Sequence, residues 1–245
     1  MSFHFDFQNK VVLVTGAAGG IGKAVAQSFA DCGAKVLATD LNPLIEKLAA
    51  EYGGIGVAAD LSAPDEVRQI VRICLDKWGQ PEVLVNIAAA GRLVPFTELS
   101  FKEWQRSLDV NLTSVYLLTA EVLPHMITRK KGSIISFSSC VAEEGAKYHV
   151  HYAAAKAGIE GYSRSLAREV GPLGIRVNVI APGMVDTPML DFLPAEEKRR
   201  LARRYPLKRP GRPEEFIGPV LFLASDAASY ITGHTLDVNG GRIMS

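Results

Sequence analysis

Two hydrophobic patterns alternate along the whole chain, and this alternation constrains the fold more than any other feature. Short runs rich in β-branched residues are separated by longer segments whose apolar residues recur at helical spacing. The runs Val11–Val14 and Val83–Val85 are apolar at every position, as is typical of parallel strands that helices cover on both faces. The pattern therefore predicts an α/β protein with a doubly wound, Rossmann-like parallel sheet of seven strands.

The alternation continues without a linker, a repeat or a low-complexity tract, which predicts a single domain over residues 1–245. The predicted strands are Lys10–Val14, Lys35–Thr39, Ile55–Ala58, Val83–Asn86, Ser133–Phe137, Arg176–Ile180 and Thr235–Val238. The predicted helices are Ile21–Cys32, Pro43–Tyr52, Pro64–Trp78, Phe101–Ile127, His151–Val170 and Pro213–Ala224.

Composition excludes several classes of protein. Hydrophobic residues make up 48% of the chain, which is too many for a disordered protein. A net charge of +1 gives no long-range attraction to a polyanion, so we expect no nucleic-acid partner. No apolar run approaches the ~20 residues that span a bilayer, and Met1–Phe7 lacks the features of a signal peptide, so we expect no membrane association. Three cysteines without C-x-x-C spacing fit neither a disulfide framework nor a zinc site and favour the reducing cytoplasm.

A glycine-rich turn follows the first predicted strand and opens the first predicted helix, with the spacing Gly16-x-x-x-Gly20-x-Gly22. Glycines let the backbone approach a pyrophosphate, and the N-terminus of a helix offers N–H groups to it. Asp40 follows the second predicted strand, where a carboxylate meets the adenosine ribose of NAD in dinucleotide-binding sheets. The alternatives are a plain strand-to-helix turn and a cap by Asp40 on the helix that starts near Pro43.

A second group of residues carries acid–base chemistry. Tyr152 and Lys156 lie four residues apart on one predicted helix and therefore share a face. A nearby ammonium favours the ionised phenol, which predicts a lowered pKa for Tyr152 and a role as general acid and base. Ser139 follows the fifth predicted strand and can donate a hydrogen bond to a substrate oxygen, while Asn111 lies inside an apolar helix. Taken singly, the alternatives are a surface Tyr–Lys pair and a core asparagine with a satisfied amide.

Together these residues form a set, and over essentially its whole length the chain resembles the short-chain dehydrogenase/reductase family. The matching positions agree in order and spacing, which makes the set specific although each member is weak alone. They are Thr15, Gly16, Gly20, Gly22, Asp60, Asn111, Ser139, Tyr152, Lys156, Arg176, Val177, Asn178, Pro182, Gly183 and Thr187. The resemblance implies an oxidoreductase that interconverts a secondary alcohol and a ketone by hydride transfer.

The resemblance also implies catalytic roles. Tyr152 would exchange a proton with the substrate oxygen, and Ser139 would hold that oxygen. Lys156 would bind the nicotinamide ribose and lower the pKa of the phenol, and Asn111 would hold a water that links Lys156 to solvent.

Cofactor contacts follow from the same resemblance, with Asp60 at the adenine and Thr187 at the carboxamide. The full implied set is Gly16, Gly20, Ile21, Gly22, Asp40, Asp60, Leu61, Asn86, Tyr152, Lys156, Pro182, Gly183, Val185 and Thr187. We expect NAD rather than NADP as the cofactor. The Asp40 carboxylate would accept hydrogen bonds from the ribose of NAD and would repel the 2′-phosphate of NADP. The next residue, Leu41, offers no cation to pair with that phosphate.

One motif departs from the family. After the fourth strand the family commonly reads Asn-Asn-Ala-Gly, whereas this chain reads Asn86-Ile87-Ala88-Ala89. Ile87 lacks the amide that would brace the sheet, and Ala89 adds a methyl group where the backbone passes the cofactor. Both changes are expected to weaken cofactor binding, but neither removes a reacting group.

The sequence leaves the substrate open. The candidate pocket walls are Leu93, Val94, Val141, Glu143, Tyr148 and Met184. The segment 186–205 is predicted to be a mobile lid, in which the charged run 196–200 is a solvated helix face. Arg92 and His149 are interpreted as loop or structural residues that can reach the pocket, and Cys140 is interpreted as a packing residue.

Other functions share this scaffold. The principal alternative is an NADPH-dependent 3-oxoacyl-thioester (acyl-carrier-protein) reductase, which cofactor choice would distinguish. A catalytically silent dinucleotide sensor is disfavoured because both Tyr152 and Lys156 are present. The family further implies a homotetramer, and the predicted helices Phe101–Ile127 and His151–Val170 carry more apolar positions than one sheet face needs.

Overall fold

A parallel sheet runs through the middle of the molecule, with helices on both faces. The computed structural model describes residues 5–244, so the first four residues of the stretch Met1–Phe7 lie outside the described residues. The strands are β1 (Val11–Thr15), β2 (Lys35–Asp40), β3 (Ile55–Ala58), β4 (Val83–Asn86), β5 (Gly132–Phe137), β6 (Ile175–Pro182) and β7 (Thr235–Val238). The helices are α1 (Gly20–Asp31), α2 (Leu44–Glu51), α3 (Pro64–Trp78), α4 (Phe101–Leu108), α5 (Ser114–Arg129), α6 (Val141–Glu144), α7 (Val150–Val170), α8 (Ala195–Ala202) and α9 (Ile217–Ala224).

The strand order β3-β2-β1-β4-β5-β6-β7, with every pair parallel, confirms the predicted fold class. Alternate residues of β1 face opposite layers, as the two-residue period of a strand requires. Val12 and Val14 pack into one buried cluster with α1 and α9, whereas Leu13 packs into a second cluster with α3 and α5. The continuous apolar run in the sequence therefore has a direct cause, since the strand is buried on both faces.

The order of the strands also locates a crevice. From β1 the chain proceeds to β2 and β3 on one side of the sheet, and β4 then returns to pair with β1 on the other side. The connections after β1 and β4 therefore leave the same edge of the sheet in opposite directions. Open α/β sheets bind ligands at such a position, outside the carboxyl ends of the strands.

Two predicted helices differ from the observed ones. The predicted helix Phe101–Ile127 is divided into α4 and α5 by a π-helical turn, Asp109–Thr113, because one extra residue is accommodated there. The predicted helix Pro213–Ala224 begins as a 3₁₀ turn, Pro213–Phe216, and becomes α9 only afterwards. Within residues 5–244, no helix is both long and apolar enough to cross a membrane.

Candidate active site

The glycine-rich turn is shaped by backbone contacts that exclude side chains. Gly16 has φ of +66°, and a Cβ atom there would lie 2.8 Å from the Cα atom of Ala88, beyond the end of β4. A Cβ atom on Gly22 would lie 2.0 Å from the carbonyl oxygen of Gly16, so the turn folds tightly onto the start of α1. No side chain caps α1 at Gly19. The turn is therefore a backbone cradle at a helix N-terminus, of the kind that binds phosphates.

A cavity of about 610 Å³ lies next to this turn. Its lining includes Gly16, Asp40, Asp60, Leu61 and Ala89, which brings several predicted cofactor contacts to one place. This volume and its position fit the adenosine half of a dinucleotide. Tyr152 does not line this cavity.

Asp40 has a second role that the sequence does not reveal. One carboxylate oxygen, Oδ2, accepts a hydrogen bond from the Ala18 amide at 3.0 Å, and Oδ1 accepts one from the Asn42 amide at 2.9 Å. At the N-terminus of α2, the amide of Leu44 donates instead to Oδ1 of Asn42, at 3.0 Å. Asp40 therefore braces the glycine-rich turn and does not cap the helix.

Asp60 is held in a fixed orientation at the other wall of the cavity. Its Oδ1 accepts from the Ser62 amide at 2.9 Å and from the Ser62 hydroxyl at 2.7 Å. These hydrogen bonds, the side-chain bond first, lower the pKa of the Asp60 carboxyl. The carboxylate is therefore ionised at neutral pH and remains an acceptor.

Backbone hydrogen bonds hold the segment after β4, where the chain departs from the family motif. The Thr15 hydroxyl accepts from the amides of Ile87 and Ala88, at 2.9 Å and 3.0 Å, and so holds the end of β4 against β1. Ile87 packs against the apolar core. Asn86 is buried, and its side-chain amide donates to the Ser136 hydroxyl at 3.2 Å, so its side chain braces the sheet and any cofactor contact would come from its backbone.

The Tyr–Lys pair lies on α7, facing the end of β5. Burial raises the pKa of Tyr152 to about 12, and a hydrogen bond with Ser139 acts in the opposite direction. Lys156 is 2% exposed; its Nζ donates to the Phe137 carbonyl at 2.7 Å and lies 5.6 Å from the centroid of the Tyr152 ring. Burial lowers the pKa of Lys156 to about 7. The predicted lowering of the phenol pKa by Lys156 is not found, because burial dominates the pKa of Tyr152 and the opposing contribution comes from Ser139 rather than from Lys156.

Asn111 lies in the π-helical turn and is fully buried. Its Oδ1 accepts from the Ala90 amide at 3.1 Å, and its Nδ2 donates to the carbonyls of Ala90 and Ser107, each at 2.9 Å. The amide therefore ties α4 to the segment that leaves β4. Its relation to Lys156 through a water stays a prediction.

The segment after β6 closes the site from the opposite side. Val185 forms an isolated bridge with Gly211, which fixes the start of the lid. A Cβ atom on Gly20 would lie 3.0 Å from the methyl carbon of Thr187, so Thr187 lies over the glycine-rich turn. A Cβ atom on Gly183 would lie 2.7 Å from a ring carbon of Tyr205. The predicted contacts from both ends of the chain thus converge on one crevice.

The remaining candidates sort by position. The ring of His149 lies 5.4 Å from that of Tyr152, and burial lowers the pKa of His149. Arg92 pairs with Glu103 at 3.1 Å and is exposed. Burial raises the pKa of Cys140 to about 11, in agreement with a packing role.

The segment predicted to be a lid, 186–205, contains a 3₁₀ turn, Pro188–Leu190, and α8. On α8, Glu197 pairs with Arg200 at the surface, as expected of a solvated face. Sequence reasoning missed Tyr205, whose hydroxyl accepts from the Met184 amide at 3.0 Å. No local pattern could have revealed this contact, because its partner lies in a different turn of the chain. Among the residues that the structure describes, no group of three or more His, Cys, Asp or Glu side chains could hold a metal ion.

Comparison with known proteins adds independent evidence. The family model described as "Enoyl-(Acyl carrier protein) reductase" matches residues 16–242. The chain is 41% identical over 246 residues to a 3-oxoacyl-(acyl-carrier-protein) reductase from Pseudomonas aeruginosa, covering 98% of this chain and 100% of that protein. It is 37% identical over 243 residues to the enzyme of the same name from Thermotoga maritima, with 97% and 99% coverage.

Solved structures agree with the fold. A crystal structure titled short-chain dehydrogenase/reductase and glucose/ribitol dehydrogenase, from Brucella melitensis, matches with a TM-score of 0.93 and 35% identity, over 99% of this chain and 100% of that chain. A second, titled an NAD(P)-dependent gluconate 5-dehydrogenase from Beutenbergia cavernae with bound NADP, matches with a TM-score of 0.93 and 34% identity, at the same coverage.

Proposed function

Because this chain belongs to the short-chain dehydrogenase/reductase family, we propose that it is a nicotinamide-dependent oxidoreductase that interconverts a secondary alcohol and a ketone. The observation that carries the proposal is the grouping of Ser139, Tyr152 and Lys156 next to the segment after β4, which also contacts the glycine-rich turn. A Cβ atom on Gly91 would lie 3.8 Å from the Tyr152 ring, and one on Gly16 would lie 2.8 Å from Ala88. The substrate in this proposal is a small-molecule alcohol or ketone.

The cofactor fits the residues that surround the crevice. Side chains are excluded at Gly16 and Gly22, which leaves backbone for the pyrophosphate, and Asp40 and Asp60 flank the adenosine cavity. Thr187 would contact the nicotinamide end. When bound, the cofactor supplies or accepts the hydride, and the protein supplies orientation and the proton.

Proton transfer falls to Tyr152. Its raised pKa keeps the phenol protonated at neutral pH, which is the form that donates a proton to a ketone oxygen during reduction. The Ser139 hydroxyl would hold that oxygen through a hydrogen bond. In the reverse direction the alcohol would give its proton to the Tyr152 phenolate, the form that the proton transfer of the reduction leaves behind. Lys156 would hold the ribose hydroxyls, as its Nζ is already directed between Phe137 and the phenol.

We propose NAD(H) as the preferred cofactor, and Asp40 supports it. The carboxylate lines the adenosine cavity, and Leu41 beside it is 67% exposed and uncharged. A 2′-phosphate would meet a negative charge and no matching cation at these two positions. The measurement is kcat/KM with NAD against NADP, and equal values would contradict the preference.

A second candidate is a 3-oxoacyl-thioester reductase that uses NADPH. The names of relatives at 37% and 41% identity favour this substrate over a sugar or polyol. The experiment is a screen that follows nicotinamide absorbance with both cofactors over acetoacetyl thioesters, sugars, polyols and hydroxysteroids. Turnover of the thioester with NADPH alone would select the second candidate, whereas turnover of a free alcohol with NAD would select the first. Inactivity of the Tyr152→Phe variant in that screen is the control that links turnover to this site.

We also propose a homotetramer in the cytoplasm. Apolar side chains remain exposed on α4 and α5, where Phe101 is 78% exposed and Tyr116 is 56% exposed. Contact with further copies of the chain would bury them, as in closed symmetric oligomers. Free Cys32, Cys74 and Cys140 suit a reducing compartment. A mass near 26.5 kDa by light scattering would contradict the tetramer.

A further inference from the structure

Arg242 lies outside the residues assigned to catalysis or cofactor binding, yet its guanidinium joins two parts of the site. Its Nε donates to both carboxylate oxygens of Glu144, at 3.0 Å and 2.8 Å, and its Nη2 lies 2.7 Å from Oε2. The two side chains are only 23% and 27% exposed. A paired, forked contact of this kind fixes direction as well as distance.

The same guanidinium lies over the ring of Tyr205, 5.6 Å from the ring centroid. Tyr205 is 8% exposed, and its hydroxyl accepts from the Met184 amide at 3.0 Å. The ring also packs so closely on Gly183 that no side chain fits there. Tyr205 therefore holds the segment between β6 and the lid, and Arg242 covers Tyr205.

Glu144 connects Arg242 to the other half of the site. It is the last residue of α6, the short helix that follows Ser139. The Val141 amide donates to the Ser139 hydroxyl at 3.3 Å, and the Cys140 amide donates to the Pro182 carbonyl at 2.9 Å. The loop after Ser139 and the segment after β6 are therefore joined where they begin, by the backbone bond from Cys140 to Pro182. Farther along, Arg242 joins them again by contacting both Glu144 and Tyr205.

We propose that Arg242, with Glu144 and Tyr205, is a positioning device that holds Ser139 and the Met184 segment in one arrangement. The inference rests on the proposed oxidoreductase function. In the proposed function, Ser139 holds the substrate oxygen and the Met184 segment lies at the nicotinamide. The distance between the substrate and the nicotinamide therefore depends on the contacts of Arg242 with Glu144 and Tyr205. Small displacements of reacting groups are costly in rate.

The test compares Arg242→Gln with a matched control, Arg129→Gln. Arg129 pairs with Glu82 at 3.2 Å, with side chains 37% and 16% exposed, at the amino edge of the sheet. We expect Arg242→Gln to lower kcat about 10-fold, with KM and the NADH Kd changed less than about 3-fold. The control should stay within about 2-fold of wild type in each constant. A purely structural role would lower thermal stability in both variants and leave kcat unchanged in both.

Two further variants and a measurement without turnover complete the test. The charge exchange Glu144→Arg with Arg242→Glu should recover part of the kcat lost in either single variant, because it restores the ion pair but not the guanidinium over Tyr205. Arg242→Lys serves if the Gln variant does not fold. Hydrogen exchange of the Met184 amide should be faster in Arg242→Gln than in wild type. Unchanged exchange, or unchanged kcat, would overturn the inference. A different result would refute the proposed function but not the structural tie. In that case the wild type would turn over no substrate, while the Met184 amide would still exchange faster in the variant.

Discussion

Replacing Asp40 by Asn tests the cofactor preference with almost no change of shape. Asp40 accepts from two backbone amides, Ala18 at 3.0 Å and Asn42 at 2.9 Å, and it lines the adenosine cavity. Asparagine keeps one acceptor oxygen and replaces the other by a donor. The turn therefore loses one amide bond, and the cavity loses its negative charge at this wall.

The magnitude follows from the charge and from one hydrogen bond. Two unit charges about 5 Å apart at high dielectric interact by about 0.8 kcal/mol, so a dianionic 2′-phosphate is repelled by about 1.6 kcal/mol, or about 15-fold. The Asp40→Asn variant would also lose a hydrogen bond that the carboxylate accepts from a ribose hydroxyl of NAD, a hydroxyl that is a phosphate in NADP. Discounted for partial exposure, this loss weakens the binding of NAD alone by about 1 kcal/mol, or about 5-fold. The weakened bond to Ala18 affects both cofactors, which share the turn, and so cancels from their ratio. The ratio of kcat/KM for NAD to that for NADP should therefore fall about 50- to 100-fold.

The assay is steady-state kinetics with each cofactor at saturating substrate, on wild type and Asp40→Asn. Asp60→Asn is the matched control, because it removes a carboxylate from the same cavity, at the wall that in the proposed function faces the adenine shared by NAD and NADP. It should weaken both cofactors alike. A ratio that moves less than about 5-fold in Asp40→Asn, or that moves equally in the control, would refute the assignment of cofactor choice to Asp40.

Three more variants test other parts of the site. Tyr152→Phe should lower kcat by about 10²–10⁴-fold while NADH binding persists, and activity above about a tenth of wild type would contradict proton transfer by the phenol. Gly22→Ala should weaken NADH binding at least about 10-fold and lower Tm, because the added Cβ atom would meet the Gly16 carbonyl. Gly19→Ala is the control and should do neither, because the space around its Cβ atom is open. Burial lowers the pKa of Lys156 in the folded state, so between about pH 7.5 and about pH 9.5 the unfolded chain binds more protons than the folded one. The free energy of unfolding should therefore rise with pH over this range. Lys156→Met should flatten that rise in a denaturant titration.

Local patterns were sufficient for the fold and for the choice of acid–base candidates. The continuous apolar run of β1, which is buried on both faces, and a period of 3.6 in the helices require only neighbouring residues. The four-residue spacing of Tyr152 and Lys156 likewise places both on one face of α7. The sequence by itself therefore determined the doubly wound parallel sheet, the glycine-rich turn and the identity of the acid–base candidates.

Only the tertiary structure decided which partners those residues meet. The sequence cannot show that Lys156 donates to Phe137, that the Asn86 amide turns to Ser136, or that Asp40 braces Ala18. The π-helical turn around Asn111 was also missed, and the side-chain amide of Asn111 bonds to Ala90, in the distant segment after β4.

The pKa of Tyr152 shows the limit most clearly. Spacing predicts attraction to an ammonium, whereas burial by several elements at once raises the pKa to about 12. The tie from Arg242 to Glu144 joins residues 98 positions apart. Periodicity reports which face of an element is buried, but hydrogen-bond partners and desolvation depend on elements that are brought together only when the chain is folded.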